Sequence, residues 1–134
     1  MLEIERCASA LFGIVACVKL ICYIRSENGL QIWIGRRSER KQTYSGMLNS
    51  TAAGGLGTGK FPIEAIISEV HEEAPIPEGV IRAYIKQMKR LTCFYVRGNK
   101  AGRESGLFQP EAEYAYELEL DPDLTPRPGS AFLR

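Results

Sequence analysis

A segment bounded by prolines is the feature that most constrains the fold of this chain. Between Pro62 and Pro75 the apolar residues recur at the spacing of one helical face. They are Ile63, Ile66, Ile67, Val70 and Ala74. Proline suits the first turn of a helix, and a second proline at the far end stops it. The sequence therefore predicts an amphipathic helix over residues 62–74.

Segments before and after this helix have the character of β-strands. They are rich in β-branched and aromatic residues, and near the end of the chain tyrosine and leucine alternate with glutamate. The dipeptide Asn28-Gly29 predicts a tight hairpin turn, because both residues tolerate positive φ. We expect strands over residues 11–24, 30–34, 51–56, 91–96 and 112–120. We expect loops over residues 36–50 and 97–106, and a second helix over residues 80–89.

Strands on both sides of a helix favour a mixed α/β layered fold. A chain of 134 residues is long enough for one such domain. We expect a single domain over residues 1–134, with its core within residues 11–128. No closing helix is expected after the last strand, which predicts a domain truncated at its C terminus.

Composition excludes several classes of protein. The formal net charge of +1 gives no general attraction to nucleic acid or to an anionic membrane, so we expect neither as a partner. Lys19 interrupts the apolar run of residues 8–24 and Glu3 precedes it, which favours a buried strand over a membrane span or signal peptide. The four cysteines form no CxxC pair and His71 is the lone histidine, so we expect reduced, mostly buried thiols in a cytoplasmic protein.

Three glutamates share the helix face opposite the apolar stripe. Glu69, Glu72 and Glu73 stand at spacing i, i+3 and i+4, where neighbouring side chains touch. Their mutual repulsion is relieved by a cation, and Mg²⁺ prefers oxygen ligands and bridges carboxylates to phosphates. The glycine-rich residues 53–59 precede the helix and let backbone approach a ligand. This pattern predicts a divalent-cation site for a phosphorylated substrate, with a solvated acidic face as the alternative.

The same segment resembles the Nudix signature, G-x5-E-x7-R-E-U-x-E-E-x-G-U, in which U is apolar. Gly54, the core Glu69-Val70-His71-Glu72-Glu73 and Ile76 match it at the right spacing. The resemblance implies an α/β/α sandwich with a mixed sheet and a Mg²⁺- or Mn²⁺-dependent hydrolysis of a diphosphate linkage. It assigns metal binding and catalysis to the three glutamates, with the Gly54 carbonyl as a further metal ligand. Which glutamate acts as the general base stays open.

Segments around the signature are similar to a narrower branch, the Nudix domain associated with thiamine pyrophosphokinase in fungi and its stand-alone plant and fungal relatives. The similarity covers roughly residues 11–128. The matching segments are Ile32-Trp33-Ile34, Arg36-Arg37-Ser38, Lys41-Gln42-Thr43-Tyr44, Gly46-Met47-Leu48, Ala53-Gly54-Gly55-Leu56, Phe94-Tyr95-Val96-Arg97 and Gln109-Pro110-Glu111. This resemblance implies a small-molecule diphosphate substrate such as thiamine diphosphate or its oxidised analogues.

Further polar residues are candidates for contacts with the substrate. A basic cluster and two glutamines are candidates for substrate binding; they are Arg36, Arg37, Lys41, Gln42 and Gln109. Glu111 is a candidate for an additional metal ligand. For the basic cluster a solvated loop is an equal alternative, and for Gln109 and Glu111 an ordinary structural role is the alternative. His71 is expected to be exposed, and Trp33 to pack within the fold.

The chain departs from the signature in ways that keep a second function open. Lys60 stands where the first glutamate belongs, Ser68 replaces the arginine and Pro75 replaces the last glycine. The first two changes leave a catalytically impaired Nudix-fold binding protein as the alternative. Gly59-Lys60 also imitates the end of a P-loop, but the following residue lacks the hydroxyl that binds magnesium. Exposed apolar surface left by a missing helix would favour a homodimer.

Overall fold

The computed structural model describes Ala8 and residues 14–124. The strands are β1 (Val15–Ser26), β2 (Gly29–Trp33), β3 (Gly35–Arg36), β4 (Leu48–Asn49), β5 (Ala52–Gly55), β6 (Lys86–Gln87), β7 (Leu91–Val96) and β8 (Phe108–Glu119). The helices are α1 (Pro62–Glu73) and α2 (Glu78–Tyr84), and a 3-10 segment covers Asn99–Glu104.

The long strands β1 and β8 form the centre of a mixed sheet. They run parallel to each other, from Val15 opposite Glu111 to Tyr23 opposite Glu119. On its other side β1 pairs antiparallel with β5 through its first half and with β2 through its second half. β8 pairs antiparallel with β7 and then with β6. Each of the two long strands therefore pairs with two short strands along its outer edge, one after the other.

Helix α1 packs on one face of this sheet and forms the core with it. Val18 and Leu20 of β1 are fully buried against Ile66 and Val70 of the helix. The helix has proline in its first turn, and its last hydrogen bond runs from Ala74 N–H to the Val70 carbonyl. The expected helix, its apolar stripe and the mixed α/β class are therefore confirmed.

The second helix is shorter than its sequence pattern indicates. It ends at Tyr84, and the prediction of a helix over residues 80–89 is wrong in its second half. Ile85 is extended, and Lys86 and Gln87 instead pair with Glu117 and Tyr116 of β8. The reason lies in the tertiary structure. The edge of β8 offers backbone hydrogen bonds to this segment, and the local sequence contains no signal of that edge.

Two expected loops contain regular structure. Residues 36–50 include β4 and the second residue of its antiparallel partner β3, and residues 97–106 include the 3-10 segment with a kink of positive φ at Gly102. In the β1–β2 hairpin only Gly29 has positive φ, so Asn28 does not take the conformation expected for it. The strand expected over residues 11–24 is described from Val15 onward, and its first residues lie outside the described part of the chain.

The cysteines are not all buried, which departs in part from the expectation. Cys17 and Cys22 are buried free thiols, but Cys93 is exposed; Cys7 lies outside the described residues. Trp33 packs against the core and His71 is exposed, as expected. Within residues 14–124, no helix has the length and apolarity needed to cross a membrane.

Candidate active site

Glu69 lies directly against the glycine-rich segment that precedes α1. A Cβ atom added at Gly54 would collide with the Glu69 carboxyl group. The absence of a side chain at residue 54 therefore lets this half-buried carboxylate approach the β5 backbone. The structure thus brings together two of the residues that the signature selects, from two different elements.

Glu73 is fixed to the same strand by a backbone hydrogen bond. The Ala53 N–H donates to Glu73 Oε2 at 2.9 Å, and only 8% of the Glu73 residue surface is exposed. Burial raises the pKa of Glu73 above its usual range, and the bond from Ala53 and the charges of Arg37 and Lys41 offset this rise only in part. The negative charge of Glu72 adds to the rise. The charged form of this buried carboxyl group is therefore disfavoured unless positive charge acts on it.

Glu72 completes the carboxylate group on the exposed side of the helix. It stands one turn from Glu69 and next to Glu73, so the three side chains form one strip that grades from buried to exposed. Oxygen ligands on a strip of this kind, beside the carbonyl-bearing backbone of Gly54, suit a hard divalent cation. The residue types therefore suit the magnesium or manganese ion that the sequence predicts, whereas the acidic group whose ligand atoms converge within the described residues is Cys17, Glu111 and Glu113.

The basic loop between β3 and β4 acts electrostatically on this carboxylate group. The positive charges of Arg37 and Lys41 oppose the rise in the pKa of Glu73. Arg37 is half-buried, and its Nε donates to the Thr43 carbonyl at 3.3 Å. Arg36 instead donates to the Gly46 carbonyl at 3.1 Å. Of the basic candidates, Arg37 and Lys41 act on Glu73 through their charge, and Arg36 bonds to its own loop.

The two glutamines occupy different surroundings. Gln42 has an exposed side chain, and its backbone carbonyl lies beside Gly102 of the 3-10 segment. Gln109 is almost fully buried and accepts a close hydrogen bond from Arg97. The Gln109 amide is thus buried and bonded to Arg97, whereas Gln42 keeps an exposed side chain within the basic loop.

Glu111 belongs to a different cluster on the opposite sheet face. The Cys17 thiol donates to Glu111 Oε1 at 3.0 Å and the Tyr95 hydroxyl donates to Oε2 at 3.1 Å. Cys17 points away from α1, because its neighbour Val18 points into the core and side chains alternate along a strand. Cys17, Glu111 and Glu113 could together hold a metal ion, but the sheet separates them from the helix carboxylates.

The residues that depart from the signature stand at the surface. Lys60 is exposed in the turn before α1, where its N–H donates to the Gly57 carbonyl at 3.1 Å. Ser68 is exposed on the helix. Neither change places a bulky or charged group inside the contacts of Glu69 with Gly54 or of Glu73 with Ala53.

Some contacts of Glu73 and Glu111 could not be predicted from residue types alone. The bond from Ala53 to Glu73 comes from a backbone N–H, which no residue type reveals. The Tyr95 and Cys17 contacts of Glu111 depend on strand register across β1, β8 and β7. The alternation in β8 was the available signal, since it places Glu111 and Glu113 on one face of the strand.

Comparisons with known proteins agree with this architecture. No protein-family model matches the chain. It is 32% identical over 133 residues to an uncharacterized protein of Saccharomyces cerevisiae, covering 94% of this chain and 39% of that protein. It is 38% identical over 125 residues to the chloroplastic Nudix hydrolase 24 of Arabidopsis thaliana, covering 92% of this chain and 32% of that protein. The chain therefore spans well under half the length of these relatives.

Solved structures identify the fold. The dihydroneopterin triphosphate pyrophosphohydrolase of E. coli has a TM-score of 0.63 at 14% identity, covering 89% of this chain and 76% of the other. The Nudix domain of Shewanella oneidensis NrtR, solved with ADP-ribose, has a TM-score of 0.62 at 10% identity, covering 97% and 80%. The chain has the Nudix fold, and over 92% of its length it is similar in sequence to a protein named as a Nudix hydrolase. This fold excludes the P-loop alternative for Gly59-Lys60.

Proposed function

We propose that this chain is a pyrophosphohydrolase that cleaves a diphosphate linkage in a small phosphorylated metabolite with the help of Mg²⁺ or Mn²⁺. The observation that carries the proposal is the seating of two helix carboxylates on one strand, with Glu69 against Gly54 and Glu73 bonded to Ala53. Carboxylates held against a strand in this way would need little reorganisation to serve as oxygen ligands for a cation.

The residues of this chain have separate roles in that reaction. Glu69, Glu72 and Glu73 would hold the metal, together with the Gly54 carbonyl. A bound divalent cation supplies positive charge that polarises a phosphoryl oxygen and offsets the charge of the diphosphate. Any of the three carboxylates left free of the cation can accept the proton of the attacking water, so the identity of the base stays open.

Arg37 and Lys41 supply the positive charge on the phosphate side. The charges of both act on Glu73, and their loop is braced by the Arg37 bond to the Thr43 carbonyl. Arginine matches two phosphate oxygens at once, whereas lysine acts as a point charge. We assign these two residues to the diphosphate, with Gln42 beside them as an exposed hydrogen-bonding group.

Thiamine diphosphate or its oxidised analogues are the substrates that we propose, on the resemblance of the surrounding segments to the thiamine-associated branch. The solved relatives act on or bind phosphorylated compounds of other kinds, namely dihydroneopterin triphosphate and ADP-ribose. A test therefore compares thiamine diphosphate, oxythiamine diphosphate, ADP-ribose and nucleoside diphosphate sugars as substrates.

The deciding experiment measures release of phosphate products with and without Mg²⁺. Glu72→Gln and Glu73→Gln keep the shape of each side chain and remove its charge, and Glu64→Gln is the matched control on the same helix. We expect the first two variants to lose metal-dependent turnover and the control to keep it. A folded wild type that binds a diphosphate without cleaving it would favour the impaired binding protein instead, with Lys60 and Ser68 as the residues to revert.

We also propose that the protein is cytoplasmic and forms a homodimer. Strand β2 lies at an edge of the sheet and exposes apolar side chains, among them Leu30 and Ile32. Exposed apolar edge strands favour pairing with another chain. Light scattering of the purified protein over a range of concentrations would show a dimer, and a monomer at every concentration would contradict it.

A further inference from the structure

Tyr44 of the basic loop has a backbone conformation that a bulky residue rarely adopts. Its φ is +54°, and among the described residues no other residue except glycine has a positive φ. The Cβ atom crowds the backbone in this left-handed region, so a bulky residue stays there only where the surrounding structure holds it. The contacts of Tyr44 with the rest of the fold therefore offset this strain.

Tyr44 connects the basic loop to the 3-10 segment. Its N–H donates to the Lys100 carbonyl at 2.7 Å. The residue is half-buried, and the hydroxyl at the tip of its ring is buried with no hydrogen-bond partner among the described residues. The ring is thus inserted into the protein tip first, although a buried hydroxyl without a partner opposes such burial. Packing of the ring, together with the backbone bond, therefore holds Tyr44 in place.

The peptide unit that bonds to Lys100 also bonds to Arg37. Arg37 Nε donates to the Thr43 carbonyl at 3.3 Å, and this carbonyl shares one planar peptide unit with the Tyr44 N–H. The unit is trans, so its N–H and its carbonyl point in opposite directions. One side of the unit is therefore bonded to the 3-10 segment and the other side to Arg37. A shift of Tyr44 would turn the carbonyl that orients the Arg37 guanidinium.

The base of the loop fixes the backbone of Arg37 but not its side chain. The Arg37 N–H donates to the Met47 carbonyl at 2.9 Å, and the Gly46 N–H donates to the Arg37 carbonyl at 3.2 Å. Several rotatable bonds separate this backbone from the guanidinium. The bond to the Thr43 carbonyl restrains them, so the direction of the guanidinium depends on where Tyr44 holds that carbonyl.

We propose that Tyr44 is a positioning residue, whose inserted ring anchors the peptide unit between Thr43 and Tyr44 and so holds the Arg37 guanidinium ready for the diphosphate of the substrate. The inference rests on the proposed function, which assigns Arg37 to the diphosphate. A guanidinium that is already oriented loses less conformational freedom when it binds phosphate, so the affinity is higher. This role explains a tyrosine at a position where glycine would suit the backbone better.

The test measures binding of methylenediphosphonate, a diphosphate analogue that resists hydrolysis, by calorimetry at a fixed concentration of Mn²⁺. Tyr44→Gly removes the ring and suits the positive φ, so the loop backbone can keep its conformation. We expect this variant to bind the probe about tenfold more weakly, which is the scale of one charge-assisted hydrogen bond. Tyr44→Phe keeps the ring and loses only the unpartnered hydroxyl, so its affinity should stay within about twofold of wild type. Met47→Gly frees the backbone at an exposed position of the same loop and is the matched control.

A double-mutant comparison shows whether Tyr44 acts through Arg37. In an Arg37→Met background, Tyr44→Gly should weaken probe binding no further, because residues that act together are not additive. An equal loss in both backgrounds, a Tyr44→Gly affinity equal to that of wild type, or no probe binding by the wild type would each overturn the inference. Coupled binding in a protein that cleaves none of the proposed substrates would instead overturn the proposed hydrolysis and support this inference.

Discussion

The carboxyl group of Glu69 occupies the space that a side chain at Gly54 would need. This contact joins the helix to β5 and fixes the position of a carboxylate that we assign to the metal. The close approach requires a residue without a side chain at position 54.

We therefore expect Gly54→Ala to displace Glu69 and to impair both stability and metal binding. The added methyl group meets the Glu69 carboxyl group, and overpacking of this kind costs about 1–3 kcal/mol. Urea unfolding gives the stability and Mn²⁺ titration gives the affinity. Gly55→Ala is the matched control, because a Cβ there meets nothing within 4 Å. Equal effects at the two positions would contradict the steric explanation.

A second prediction concerns Thr51, whose hydroxyl links β1 to the end of β2 where the pairing of β1 passes from β5 to β2. Its hydroxyl accepts from the Cys22 N–H at 2.8 Å and donates to the Trp33 carbonyl at 2.6 Å. Thr51→Val keeps the shape but leaves both buried backbone groups without this partner, which costs about 1–3 kcal/mol. Urea unfolding should show this loss, whereas Thr58→Val in the exposed turn should lie within about 0.5 kcal/mol of wild type.

Cysteine reactivity should follow burial. Burial raises the pKa of Cys22 to about 12 and also raises that of Cys17, so neither thiol forms the reactive thiolate at neutral pH. Cys93 is exposed and should react, although partial desolvation and nearby Glu111 raise its pKa and slow the reaction. In a Cys7→Ser background, a thiol reagent at pH 8 should modify Cys93 rapidly and the other two only in denaturant. Rapid native modification in a Cys93→Ser variant of that background would contradict the burial of Cys17 and Cys22.

The ion pairs between the two helices predict a pH-dependent contribution to stability. Arg82 donates two hydrogen bonds to Glu64, at 2.9 and 3.0 Å, and a third to Glu78 at 2.6 Å. The bonds from Arg82 lower the pKa of Glu64. A carboxyl group with a lowered folded-state pKa stabilises the fold above its unfolded pKa, and this contribution is lost as pH falls through the folded value.

The matching experiment compares the unfolding free energies of wild type and Arg82→Met from pH 7 to pH 2. We expect the wild type to be more stable at neutral pH and the difference to vanish at the acid end. High salt should reduce it too, because the pair is exposed. A difference that persists unchanged at pH 2 would assign the effect to packing of the arginine stem instead.

The sequence anticipated the elements whose signals are local. Helix α1 has its apolar stripe and its prolines, and β7 has the bounds expected from its composition. The end of α2 was missed because Lys86 and Gln87 pair with a strand that lies about 30 residues later in the chain. Residue propensities describe local preference only. They cannot predict that a segment leaves a helix to pair with a strand that is distant in sequence.

By itself the sequence determined that Glu69, Glu72 and Glu73 share one helix face behind a glycine-rich segment, because helical periodicity fixes which side chains neighbour each other. Only the tertiary structure decided that Glu73 is buried with a hydrogen bond from Ala53, and that Glu111 faces the other side of the sheet. Those relationships depend on strand register and on how a helix seats on a sheet, which are set by packing between distant segments rather than by any local pattern.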